Sequence, residues 1–272
     1  MRTLFFNTLL LLTVLFLSTS ALAFDYTIND MAEGISRHKA TWIMPATWTD
    51  EYHGDQTELV FQVSLKKQIM NTGLHVAYTQ KSFWQAYNEE GSAPFRETNY
   101  NPELFYRILP GSALTRFLGN GPILSKLGAD IGFEHESNGQ DMPDSRSWNR
   151  AYITPFYAGG DLLLWLKLWY ITDDSKEPSP DGIKGSDNPD IADTMGYSEF
   201  HLKYQFGGDQ LIHLMGRGNL RKGKGAARLT WSIPITQGGA FFMVQAFHGY
   251  GDSLIDYNHE MTRVGVGIML CR

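Results

Sequence analysis

Cysteine is almost absent. Cys271 is the single cysteine in 272 residues, which excludes an internal disulfide framework and a multi-cysteine zinc site. An excess of basic residues is also missing. The chain has 23 Lys and Arg against 29 Asp and Glu, a formal charge of −6. It lacks the basic footprint that sequence-independent nucleic-acid binding requires, so no nucleic-acid partner is expected. Long apolar runs do not occur beyond the N-terminus. The greasiest later stretch, Leu162 to Tyr170, is interrupted by Lys167, whereas a membrane-spanning helix needs ~20 predominantly apolar residues. With 43% hydrophobic residues and a mean hydropathy of −0.26, the composition read alone fits a soluble protein.

The N-terminus has a different character. Arg2 precedes an apolar run, Leu9 to Leu17, and Ala21-Leu22-Ala23 forms a small-x-small cleavage site before Phe24. Residues 1–23 therefore read as a secretory signal peptide, and residues 24–272 as the mature domain. An uncleaved helical anchor is the alternative, but the apolar run is short for a span.

Within the mature domain the dominant pattern is alternation. Phe200, Leu202, Tyr204 and Phe206 fall on one face, with Glu199, His201, Lys203 and Gln205 on the other. That is the period of a β-strand with one apolar and one polar face. Leu59, Phe61, Val63 and Leu65 repeat it, as do Leu74, Val76 and Tyr78, and Val264, Val266, Ile268 and Leu270. About twelve such runs occur, beginning near 39, 57, 73, 102, 127, 147, 161, 195, 209, 225, 240 and 261. Most have the ~9–11 residues of a transmembrane β-strand, not the ~5–6 of a soluble one. Aromatic residues cluster near strand ends, at Phe83-Trp84, Phe105-Tyr106, Trp169-Tyr170 and Phe247, as expected for interfacial girdles. The predicted fold is all-β, a twelve-stranded antiparallel barrel with its apolar face outward to lipid. A soluble sandwich or lipocalin-like barrel is the competing fold, disfavoured by strand length, strand number and aromatic usage.

Under that rule, polar side chains of the run 127–138 are misplaced. Asp130, Gly132, Glu134 and Glu136 take the lumenal face, which leaves His135 and Ser137 side by side on the lipid face with Ile131 and Phe133. A neutral imidazole beside a hydroxyl is the minimum pair for an activated serine nucleophile. If the next strand pairs as a hairpin, Asn149 arrives on the same outer face near His135. Its amide oxygen can accept the imidazole N–H without a charge, and a carboxylate there would be costly. An isolated His-x-Ser carries little information, and a solvated rim histidine is the bland reading. The loop Asn138 to Ser145 supplies hydroxyl, carbonyl and carboxylate oxygens that fit a hard cation such as Ca²⁺, or simply an ordinary polar turn.

These blocks resemble a known family, outer membrane phospholipase A of Gram-negative bacteria. The resemblance rests on His135-Glu136-Ser137-Asn138-Gly139 followed by Ser145-Arg146-Ser147-Trp148-Asn149-Arg150. It extends through Tyr78-Thr79-Gln80-Lys81-Ser82, Pro94 to Tyr100, Asp187-Asn188-Pro189-Asp190 and the C-terminal segment from Gly249 to Leu270. It implies a twelve-stranded outer-membrane barrel that hydrolyses acyl esters of phospholipids and lysophospholipids, depends on calcium and works as a homodimer. Carried over by position, it implies Ser137 as nucleophile, His135 as general base and acid, and Asn149 as the orienting third member. The Gly139 N–H and a calcium-bound water would form the oxyanion hole. The active calcium would take the Ser145 hydroxyl and the Gln140 carbonyl from one subunit and the Ser92 carbonyl from the other. Gln80 would hydrogen-bond across the dimer interface.

The chain departs from that pattern at several places. Gln140 replaces a common Arg, which a backbone ligand tolerates. Met142 stands where a second, monomer-state calcium site has an Asp, although its partner Asp187 is retained. Cys271-Arg272 ends the chain in place of an aromatic residue, and Arg107 to Asn120 reads as a loop extension. The rival from another class is a non-catalytic barrel, a small porin or structural adhesin, with Lys66, Glu134, Glu136, Lys167, Lys203 and Arg228 lining its lumen. Mixed charge of that kind favours a salt-bridged plug over a pore.

Overall fold

A computed structural model describes residues 34–272 apart from 53, 71, 118, 120, 173–186 and 236–238. The segment read as a signal peptide lies outside the described residues. A two-residue strand, β1 (Ser36–Arg37), precedes twelve long ones. These are β2 (Thr41–Thr49), β3 (Leu59–Gln68), β4 (Leu74–Trp84), β5 (Phe95–Ile108), β6 (Leu127–Ser137) and β7 (Ser147–Gly159). They continue as β8 (Leu162–Ile171), β9 (Ser198–Phe206), β10 (Gln210–Asn219), β11 (Lys224–Pro234), β12 (Phe241–Tyr250) and β13 (Glu260–Cys271). Each of the twelve pairs antiparallel with its sequence neighbours, and β13 pairs with β2. The twelve long strands therefore close into a barrel, none of them left as an edge, which the hydrocarbon core of a membrane demands.

The alternation places the side chains as expected. Val63, Leu65, Val76, Ile131, Phe133, Leu229, Val264 and Val266 are exposed on the outside, while Ser64, His75, Thr79, Glu134, His201 and Lys203 are buried inside. Tight turns at Gly160-Asp161 and Gly207 to Asp209 sit at one end of the barrel. The opposite end carries the connection with a short helix, Ile191–Met195, and residues 251–259, while the β5–β6 connection shares the tight-turn end.

Two expectations need correction. Strand β5 begins at Phe95, seven residues before the run predicted from 102, because polar Glu97, Asn99 and Asn101 point into the lumen and hid the period. It ends at Ile108, so the connection predicted over 107–120 starts inside the strand; the segment after Ile108 carries a short helix, Ala113–Phe117. The aromatic pairs are also not simple girdles. Adjacent strand residues face opposite ways, so Phe83, Phe105 and Trp169 point inward with Phe247, at most 7% exposed, while Tyr106 and Tyr170 face out.

Ion pairs cross the lumen. Lys167 joins Glu103 and Glu134, Arg150 joins Glu134 and Glu136, Arg107 joins Asp130, and Arg217 joins Glu199. From the N-terminal side, His38 and Lys39 reach Glu103. Near the long-loop end, Arg263 pairs with Glu58 and Asp252, each at 2.7 Å, and Lys81 also holds Asp252. Burial alone would raise the Asp252 carboxyl, but Lys81 and Arg263 overcome it and hold the group well below the usual carboxylate range. Its stabilising contribution is therefore present at neutral pH and is lost only as the pH falls through the lowered value. Arg263→Ala leaves two buried carboxylates short of a cation. The expected loss is about 3 kcal/mol, the low end for a broken buried pair, because Arg96 and Lys81 remain. Urea midpoints of the barrel refolded in detergent read this out, and an unchanged midpoint contradicts it.

Candidate active site on the lipid-facing wall

Strands β6 and β7 form a hairpin in which His135 is directly opposite Asn149, and Ser137 is opposite Ser147. His135, Ser137 and Asn149 share the outward face with exposed Ile131, Phe133 and Ile153, as alternation requires. The His135 Nδ1 is 2.9 Å from Asn149 Oδ1. A carbonyl oxygen accepts, so Nδ1 carries the proton, which in the neutral imidazole leaves the lone pair on Nε2. Ser137 lies two residues further along the same face. Its hydroxyl makes no hydrogen bond among the described residues, so strand register brings it beside His135.

The lumenal side of this hairpin is cross-linked. Arg150 reaches Glu134 at 3.1 Å and Glu136 at 2.8 Å, the two neighbours of His135. The Trp148 indole donates to Glu136 at 3.0 Å, and the Arg150 guanidinium lies 3.6 Å from the Trp148 ring centroid. Every residue flanking His135 and Asn149 in the chain is thus held from inside the barrel.

Past Ser137 the loop is organised by Asn138, which is buried. Its amide donates to the Asp144 carbonyl at 2.8 Å, and its Oδ1 accepts from the Arg146 N–H at 2.9 Å and the Gln140 N–H at 3.3 Å. Gly139 has φ +66°, and a Cβ there would stand 3.2 Å from the Tyr100 ring. Glycine is therefore the residue this turn admits, and its backbone approaches the site closely. Sequence reasoning assigned Asn138 no role; its place between Ser137 and Gly139, in a loop needing an internal acceptor, was the available signal.

The four predicted calcium ligands separate into two groups. The Ser145 hydroxyl donates to Asp187 Oδ2 at 2.7 Å, and Ser147 donates to the same oxygen at 3.1 Å. Asn188 Oδ1 accepts from the Ser147 N–H at 3.0 Å. Gln140 belongs to the same loop. Ser92 is exposed, with φ +60°, on the β4–β5 connection at this end of the barrel. Among the described residues no group of three or more His, Cys, Asp or Glu side chains is placed to hold a metal ion. Ser145, Gln140 and Asp187 offer hydroxyl, carbonyl and carboxylate oxygens, donor types that fit Ca²⁺ and not a softer metal. Gln80 faces outward, as predicted, and takes part in a polar chain on the lipid side. The Tyr78 hydroxyl donates to Gln80 Oε1 at 3.0 Å and Gln80 Nε2 donates to Ser82 at 3.1 Å. Register continues this polar row from Gln80 to Tyr100, Ser137 and Ser147.

Known proteins give the same picture. The family model described as Phospholipase A1 matches residues 21–270. The chain is 39% identical over 229 residues to the phospholipase A1 of Escherichia coli K12, covering 82% of this chain and 72% of that one. It is 37% identical over 276 residues to the putative phospholipase A1 of Neisseria meningitidis serogroup B, covering 92% and 69%. Among solved structures, an active-site mutant of E. coli outer membrane phospholipase A, with an asparagine replaced by alanine, superposes with a TM-score of 0.74 at 32% identity. It covers 89% of this chain and 96% of that one. The Salmonella typhi outer membrane phospholipase dimer with bound calcium gives the same TM-score, identity and coverages. The family match, the relatives and the fold agree: the chain belongs to the phospholipase A1 family, phospholipid ester hydrolases that are β-barrels of the outer membrane.

Proposed function

We propose that this phospholipase cleaves acyl esters of phospholipids and lysophospholipids, with A1, A2 and lysophospholipase activity, through Ser137, His135 and Asn149. The observation that carries this reading is the 2.9 Å contact between His135 Nδ1 and Asn149 Oδ1 on a lipid-facing wall. A polar pair there is costly unless it is used. Ser137 Oγ attacks the acyl carbonyl carbon while His135 Nε2 takes its proton. The oxyanion that forms is met by the Gly139 N–H. His135 then protonates the departing glycerol oxygen, which leaves as the alcohol. Water, deprotonated by His135, attacks the acyl-serine ester and releases the fatty acid and the Ser137 hydroxyl. Asn149 holds the tautomer throughout and adds no charge next to lipid.

Calcium is the expected cofactor, held by the Ser145 hydroxyl and the Gln140 carbonyl, with Ser92 contributed by a second copy. When bound it supplies positive charge beside the developing oxyanion. Asp187, fixed by Ser145 and Ser147, is the residue that would hold a second calcium, but Met142 offers that site no carboxylate. The working form is a homodimer. A convex barrel wall cannot surround an acyl chain, so a neighbouring wall must supply the other side of the groove, with Gln80 in the contact. That the Salmonella relative is a dimer with bound calcium, and that the altered E. coli active-site residue is an asparagine, support this reading. A porin is disfavoured by the ion pairs across the lumen.

Asn149→Leu, similar in size but without an acceptor, tests the assignment. The kcat for fatty-acid release from phosphatidylethanolamine in calcium-containing mixed micelles is expected to fall about 100-fold, the lower end for general-base catalysis, with KM little changed. Wild-type kcat in that variant would remove Asn149 from the mechanism.

A further inference from the structure

The β5–β6 ladder is interrupted beside His135. Paired positions run through Tyr100 and Ser137, then resume at Glu103 and Glu134. That register sets Pro102 opposite His135. Proline has no N–H, so β5 offers no backbone donor there, and proline is otherwise confined to strand edges, first positions and bulges. Here it lies near the middle of a 14-residue strand paired on both sides.

The His135 carbonyl nevertheless has a donor. Asn101 Nδ2 reaches it at 2.9 Å from the lumenal side. The same Nδ2 is 3.2 Å from Glu134 Oε2, and Asn101 Oδ1 accepts from Lys39 Nζ at 2.8 Å. Glu134 is held in turn by Lys167 at 2.8 Å. Asn101 is 6% exposed, and its amide is fixed at both ends by charged groups, buried Glu134 and half-exposed Lys39. A lumenal side chain thus stands in for the backbone N–H that Pro102 lacks.

We propose that Asn101 is a positioning residue for the reaction: by anchoring the His135 carbonyl, it fixes the angle at which the imidazole leaves β6. This rests on the reading of His135 as the general base. The imidazole must keep Nδ1 on Asn149 while Nε2 reaches Ser137 on its own strand, so a small rotation of the His135 peptide separates Nε2 from the hydroxyl. A misplacement of ~1 Å costs up to ~100-fold in rate. No other backbone group of β5 can compensate, because the residue opposite is proline.

The test is a rescue. Asn101→Ala, verified as folded by its heat-modifiable gel mobility, should lower kcat at least about tenfold with KM within about twofold. Adding Pro102→Ala returns an N–H to β5 and should restore most of the lost kcat. Gln245→Leu removes another buried lumenal hydrogen bond, to Thr230 at 3.1 Å, and should leave kcat near wild type. If Asn101→Ala does not refold, Asn101→Gln, which displaces the amide by one methylene, takes its place in the same pair of variants. Wild-type kcat in the Asn101 variant overturns the proposal. So does a loss that Pro102→Ala fails to recover, or an equal loss in Gln245→Leu, since each marks a general effect on the barrel. His135→Ala, run in parallel, separates the two readings: full activity there removes the base itself, whereas inactivity there with an unaffected Asn101 variant removes the anchor alone.

Discussion

Ser137→Ala is expected to abolish fatty-acid release, with kcat at least about 10³-fold below wild type. In a serine mechanism the nucleophile and base act as a unit, so removing either forfeits nearly all of the covalent route. The substitution removes one oxygen that makes no hydrogen bond among the described residues, at the end of a strand, so the barrel should fold unchanged. Stability should move by no more than ~0.5 kcal/mol, as for a surface substitution away from any buried network. The assay is release of fatty acid by refolded protein in calcium-containing detergent. Activity at the wild-type rate in a folded variant means that the nucleophile lies elsewhere.

Calcium removal is expected to have the next largest effect. With EDTA, kcat should fall by about 10²–10³, the range for losing one group that stabilises an oxyanion. In the proposed site hydroxyl and carbonyl oxygens dominate the ligand set, and a second copy of the chain would complete it. The dependence on free calcium should therefore steepen as protein is diluted, and dimerisation in detergent should follow the same calcium range. Magnesium should substitute poorly, because it demands near-ideal octahedral geometry and gives up its waters reluctantly. Hydrolysis unaffected by EDTA contradicts the calcium role.

The barrel was legible because period-two alternation survives every strand that is lipid-facing outside and ion-paired inside. Phe200 to Phe206 and Leu59 to Leu65 show it without help. The start of β5 escaped because Arg96 and Thr98 flank the lumenal Glu97 and Asn99, so neither face of that stretch reads as apolar. Inward Phe83, Phe105, Trp169 and Phe247 escaped for a related reason: a lumen crossed by ion pairs still holds apolar bulk, and composition does not say which side an aromatic takes. At the site, His135, Ser137 and Asn149 stood out as polar side chains on an apolar face, and the hairpin register then put two of them in contact. Asn138 and Asn101 did not stand out. Each sits among other polar residues, and its importance depends on which backbone groups lack partners, which only the paired strands reveal.

The proposed chemistry turns on one oxygen, that of Ser137. Incubating the folded protein with a long-chain sulfonyl fluoride, then mapping the adduct by peptide mass spectrometry, tests it most directly. One equivalent of label on the peptide containing Ser137 is expected, formed in calcium and suppressed by EDTA, with activity lost in step. Label on a different residue with parallel loss of activity, or full activity after Ser137 is fully labelled, would contradict it.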